Sequence, residues 1–177
     1  MSKDKSRHLT HVALIAAAYT ALSVALSPMS FGAVQVRASE ALCLLPVICA
    51  SSVYGVTLGC MLTNIVGIAT GASILGVMDV VLGTLATLCA AIMTRALRNV
   101  RFGNIPFLSS LPPVLFNGVV VGAELAYVMA PNSKFLPTFI SCAASVAVGE
   151  FLSCSVLGLI LLRALESNKS ALAFFQD

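Results

Sequence analysis

The chain has 177 residues, of which 59% are hydrophobic and 10% charged, and its mean hydropathy is +1.00. Soluble domains run about half apolar and a quarter charged, so this chain lacks the polar groups to cover a water-facing surface and reads as one integral membrane domain, 1–177. The formal charge of +3 comes from Lys and Arg at the ends of apolar runs, not from the one-faced basic patch that a nucleic-acid binder needs.

A membrane-spanning helix needs about 20 mostly apolar residues. The first candidate is 11–27, after a basic N-terminal stretch, 1–10, expected in the cytoplasm. It is expected to stay on the chain: its loss as a signal peptide would spoil the charge balance described below. Within it Ala13, Ala17 and Ala21 recur every four residues. They lay a strip of methyl-sized side chains along one helix face, suited to close approach by another helix. That helix belongs either to this protein or to a partner on its lipid side.

The run 41–69 is one long span or two short ones, broken at Pro46 and at "SSVYG", 51–55. Further spans are expected at 76–95, 107–129 and 137–162, with a cytoplasmic tail at 164–177. Cytoplasmic loops carry excess Lys and Arg. Splitting 41–69 in two places eight basic residues on the inner side and only Arg37 and Lys134 outside. The expected fold is therefore all-α, a bundle of six transmembrane helices with both termini cytoplasmic.

On this topology the polar residues gather. Glu40 opens the second span, Asn64 nears the outer end of the third, and Asp79 lies in the first turn of the fourth. Asn117 and Glu124 are seven apart on the fifth, sharing a face, and Glu150 is near the middle of the sixth. Each alone is a packing hydrogen bond. Together, four acids facing a single arginine, Arg37, mark a site, with a net −3 if all are ionised. A ligand with N–H donors and a positive amine suits it; an anion does not. The segment 28–39, with Phe31, Gln35 and Arg37, is expected to fold over the site as an extracellular lid, and Ser39 to cap the second span. Gly118 and Gly122 give the fifth span a close-packing edge, with small residues on the sixth at Ser141, Ser145, Gly149 and Ser153.

The six cysteines, Cys43, Cys49, Cys60, Cys89, Cys142 and Cys154, lie in apolar runs with no C-x-x-C pair and read as small buried hydrophobes, with no metal site expected. No histidine stands among the intramembrane acids and no H-E-x-x-H motif is present, so an enzyme is not expected. No cofactor is expected either. The chain has no G-x-x-x-x-G-K-[ST] phosphate loop, so ATP-driven uptake would need a partner.

Three stretches, "SFGAVQVRASEALCLLP", "GVMDVVLGTLATLCAAIMTRAL" and "LPPVLFNGVVVGAEL", resemble the queuosine-precursor transporter family, the substrate-binding S components of energy-coupling-factor importers. The motif F-G-x-x-Q-x-R-x-S-E-A-L falls on Phe31, Gly32, Gln35, Arg37, Ser39, Glu40, Ala41 and Leu42, and the A-x-x-x-A docking motif on Ala13 and Ala17, with Ala21 one turn on. The resemblance implies six helices in a bacterial plasma membrane and an outward-facing pocket capped by loops. It also implies docking on a transmembrane partner driven by two cytoplasmic ATPases. The implied substrate is a 7-deazaguanine, foremost 7-aminomethyl-7-deazaguanine, with queuine and the nitrile precursor as alternatives. A single carboxylate suits the donor edge of such a base; Glu124 or Glu150 would take it, and Asp79 or Glu40 the amine. The ring oxygen would meet Arg37, Gln35 or Asn117, and Phe31 or Tyr127 would stack on the ring. An S component for another vitamin and an autonomous secondary carrier are the rival readings.

Overall fold

The computed structural model describes residues 3–26, 37–130 and 134–175. Phe31, Gln35 and most of the expected lid lie outside them. Among the described residues the protein is all-α. Helix α1 is Lys3–Ala25, α2 Ser52–Ala69, α3 Val77–Ala96, α4 Leu111–Met129 and α5 Phe135–Glu150. A π-helical segment, Phe151–Gly158, joins α5 to α6, Leu159–Ser167, and α7 is Lys169–Phe175. Between α1 and α2 lies a 3-10 helix, Ala38–Val47. Among the described residues five stretches are long and apolar enough to cross a membrane: Lys5–Ala25, Ser52–Ala69, Val77–Ala96, Phe107–Met129 and Phe135–Ser167.

Side-chain register gives the direction of each pass. A Cβ on Gly55 would meet Ile15, and one on Gly59 would meet Tyr19. The two series advance together, so α1 and α2 are parallel. The chain must return between them, and Ala38–Val47 carries it. That segment runs alongside α3: Arg37 pairs with Asp79 at one end, and Arg95 Nη1 donates to the Pro46 carbonyl (2.9 Å) at the other. Asn64 meets Asp79 and Thr87 meets Cys60, which makes α2 and α3 antiparallel. Gly122 faces Ala143 and Gly118 faces Ala147, so α4 and α5 are antiparallel too. Among the described residues the chain thus runs through the bundle in five span-length stretches and one shorter pass, Ala38–Val47. Both ends finish on one face, where Arg7 Nη2 donates to the Ala173 carbonyl at 2.8 Å.

The run 41–69 is therefore divided, and the break falls at Cys49–Ser52, where Ser52 Oγ donates to the Cys49 carbonyl. The first half is not an ordinary span. Ten residues wound as a 3-10 helix reach about 20 Å, against 15 Å in α form, still short of the ~30 Å hydrocarbon core. Other helices cover it: Ser39–Ala41 and Cys43–Val47 are all buried. Away from water every backbone carbonyl needs a donor, and Arg95 supplies one where Pro46 and the chain break interrupt the ladder. Ser39 does not cap this segment. Arg37 holds the cap position, and the Ser39 hydroxyl instead meets Ser23 Oγ on α1 at 2.6 Å.

The inner face of α1 is Ile15, Ala16, Tyr19 and Ser23, all buried. Ala13, Ala17 and Ala21 are exposed on the opposite side and play no part in this contact. The glycine edge of α4 forms as expected but packs on Ala143 and Ala147, not on the serine series. Gly59→Ala is a sharp test of the α1–α2 register. Its Cβ would lie 2.7 Å from Tyr19 Cβ and 3.2 Å from the Ala16 carbonyl oxygen. Neither is the free end of a side chain, so the helices must part, at a cost of about 1–3 kcal/mol. The expected result is a lowered melting temperature of the detergent-solubilised chain.

Candidate functional site

The polar residues expected on separate spans meet inside the bundle. Arg37 Nη2 and Asp79 Oδ2 form an ion pair at 3.0 Å, with side chains only 5% and 1% exposed. Asn64 Nδ2 donates to the Asp79 backbone carbonyl at 2.7 Å, tying α2 to the first turn of α3. Gly83, one turn on, makes room for this arrangement: a Cβ there would collide with the Asp79 carboxylate and lie 3.4 Å from Asn64 Nδ2.

The Glu40 carboxylate is enclosed. Tyr19 donates its phenolic hydrogen to Oε1, and the Cys43 thiol lies 2.9 Å from Oε2. On the far side Asn117 Nδ2 donates to Glu150 Oε1 at 3.0 Å, and Cys154 Sγ lies 3.6 Å from Glu150 Oε2. The Cys154 thiol also donates to the Glu40 backbone carbonyl at 3.1 Å, joining the π segment to the 3-10 helix. Arg37 and Asp79 lie within electrostatic range of Glu124, and Arg37 and Glu40 within range of Glu150.

Among the described residues, the buried side-chain atoms without a hydrogen-bond partner include the hydroxyls of Thr63, Thr84, Ser109 and Ser153, but those on the acids and amides of the site are all acceptors. Asn64 Oδ1, Asp79 Oδ1, Asn117 Oδ1 and both oxygens of Glu124 are buried without a hydrogen-bond partner. Both asparagine amides are oriented by chemistry, because their other ends meet a carbonyl and a carboxylate, which only N–H can satisfy. These orphan oxygens accept and cannot donate when the acids are ionised. Buried polar groups without partners are rare and costly. This set is complementary to a ligand that brings donors.

Glu124 also borders an apolar cleft of about 410 Å³ between α3 and α4, lined by Met78, Leu82, Val119, Ala123 and Tyr127. Tyr127 is 61% exposed there and is not part of the buried polar cluster. Cys43, Cys49, Cys60 and Cys154 are buried, as small hydrophobes should be, but Cys89 is exposed.

Sequence reasoning found the acids and amides but missed Tyr19, Cys43, Cys154 and Gly83. Spacing held the signal: Cys43 follows Glu40 by three and Cys154 follows Glu150 by four, intervals at which helical side chains meet.

Fold and site together define a multi-pass membrane protein with a buried, acceptor-rich polar cluster. A family model described as QueT transporter matches residues 9–167, and the chain belongs to that family. Comparison with curated proteins and comparison with solved structures each gave no match.

Proposed function

We propose that this transporter is the substrate-binding S component of an energy-coupling-factor importer and that it captures 7-aminomethyl-7-deazaguanine from outside the cell. The observation that carries the reading is the set of five unpartnered acceptor oxygens on Asn64, Asp79, Asn117 and Glu124. Glu124, with both oxygens unengaged, is the acid for the N1–H and exocyclic amine of the base. Asp79 Oδ1, its other oxygen held by Arg37, takes the ammonium with Asn64 Oδ1 beside it. Glu40 and Glu150 hold the wall behind Asn117. Arg37 or Gln35 meets the ring oxygen, and Phe31 belongs to the lid over the base. The nitrile precursor brings an acceptor where this wall needs a donor, so it ranks below the amine.

All six passes are read as crossing a bacterial plasma membrane, with both termini cytoplasmic. The face where the termini meet also carries Lys5, Arg7, Arg95, Arg98, Arg101, Arg163 and Lys169, as the positive-inside rule requires. The exposed faces of Ala13, Ala17 and Ala21 suit close approach of a transmembrane partner, which two ATPases would drive.

Calorimetric titration of the solubilised chain tests the ligand. The amine is expected to bind ten- to a hundredfold tighter than guanine, the worth of a charge-assisted hydrogen bond of about 1.5–3 kcal/mol. Equal binding would remove Asp79 from the assignment, and no binding of either would overturn the substrate. Ala17→Leu tests the docking face: ligand affinity should be unchanged, while uptake by cells carrying the whole importer falls to background. Full uptake by that variant would point to an autonomous carrier.

A further inference from the structure

The transport reading leaves one constellation behind the acceptor wall, out of contact with the ligand. Glu40, Glu150 and Cys154 bring their ligand atoms within 4.8 Å of one another, and all three residues are buried. Cys43 adds a second thiol, its sulfur 2.9 Å from Glu40 Oε2.

The two unusual helical windings aim these groups together. In a 3-10 helix side chains at i and i+3 eclipse, which stacks Cys43 on Glu40. Glu150 closes α5, and the π winding that begins at Phe151 carries Cys154 back over it. Each device sets a thiol against a carboxylate. A π segment inside an α-helix is itself rare and often marks a functional site.

Charge supplies an independent reason. Glu40 is 1% exposed and Glu150 6%, and neither forms an ion pair among the described residues. Tyrosine, thiol and amide donors surround them, and Arg37, the cation within electrostatic range, is already paired with Asp79. Buried carboxylates are stabilised by a counter-charge or by coordination to a metal.

We propose that Glu40, Cys43, Glu150 and Cys154 form a binding site for one thiophilic divalent cation of the zinc class. Bonds of about 2.0–2.2 Å to oxygen and 2.3 Å to sulfur set tetrahedral ligand–ligand separations near 3.5 Å. The Cys154–Glu150 separation is already 3.6 Å. Binding forms two metal–sulfur and two metal–oxygen bonds. It breaks two S–H bonds, and both protons leave to solvent. The site adjoins the acceptor wall through Asn117, which donates to Glu150, but it is read by metal and thiol chemistry that needs no transported ligand.

The test is titration of the chelator-stripped, solubilised full chain with Cd²⁺, followed by ultraviolet absorbance. The expected result is one tight equivalent, a thiolate-to-metal charge-transfer band and displacement by Zn²⁺. Cys43→Ser and Cys154→Ser should each weaken binding at least tenfold and remove about half the band. Cys89→Ser, on the exposed surface, should change nothing. On the unsubstituted chain, bound Cd²⁺ should protect Cys43 and Cys154 from alkylation, as read by peptide mapping, which guards against a variant that fails to fold. No band, a band that survives in both serine variants, or protection confined to other cysteines would overturn the site.

Discussion

Arg37→Ala is expected to cost more stability than any other single polar substitution in the site. Arg37 and Asp79 pair at 3.0 Å with almost no solvent contact. Removing one member of such a pair leaves a buried charge uncompensated, at about 3–5 kcal/mol. The orphaned Asp79 would also face Glu124, an acid whose own oxygens have no partner. Asp79→Asn should cost less, because the asparagine can still accept from the guanidinium. In the double variant Arg37→Met with Asp79→Leu, no charge is left stranded, and much of the lost stability should return. Thermal unfolding of the three solubilised variants checks this order. If Arg37→Ala melts with the parent, the pair is not buried in the membrane-embedded protein. If the double variant melts as low as Arg37→Ala, packing around the arginine stem outweighs its charge.

The same pair shows what a sequence of this kind discloses. In a chain with so few charges, an acid or arginine inside an apolar run stands out, and Arg37, Glu40, Asp79, Glu124 and Glu150 were all visible for that reason. The two-part reading of 41–69 came from the positive-inside rule; the structure divides the run, but Ala38–Val47 is shorter than a span. The winding of Ala38–Val47 was not legible. A run apolar on every side has no periodic contrast, so a repeat of 3.0 cannot be told from one of 3.6. The Pro46 signal gave a break but not its type. Tyr19, Cys43 and Cys154 were hidden differently. Their side chains count as core in any hydropathy scheme, and only the neighbouring carboxylates make them polar partners. The alanine strip was read as a packing face, but sequence left its side open. The structure answers that through Ile15 and Tyr19, which take the inner face and turn Ala13, Ala17 and Ala21 outward.

Glu124→Gln separates binding from folding more cleanly than any other change. The substitution keeps the shape and trades one acceptor oxygen for an NH₂ donor. Both oxygens of the glutamate are buried without partners, so the carboxylate makes no hydrogen bond within the described fold. An ionised group buried in that condition is a cost, which the neutral amide reduces. The variant should therefore melt at or above the parent temperature. Against the proposed ligand the effect is reversed. Two charge-assisted hydrogen bonds of about 1.5–3 kcal/mol each are replaced by one neutral bond and one donor facing a donor. Affinity should fall at least a hundredfold. Glu124→Asp keeps the charge but withdraws it by one methylene, and should fall between the two. A binding site commonly keeps groups that the fold would be more stable without, and Glu124 has that character here. Unchanged affinity in Glu124→Gln would move the base edge to Glu150. Lost affinity with a lowered melting temperature would make Glu124 part of the scaffold, and the five unpartnered oxygens would then need another explanation.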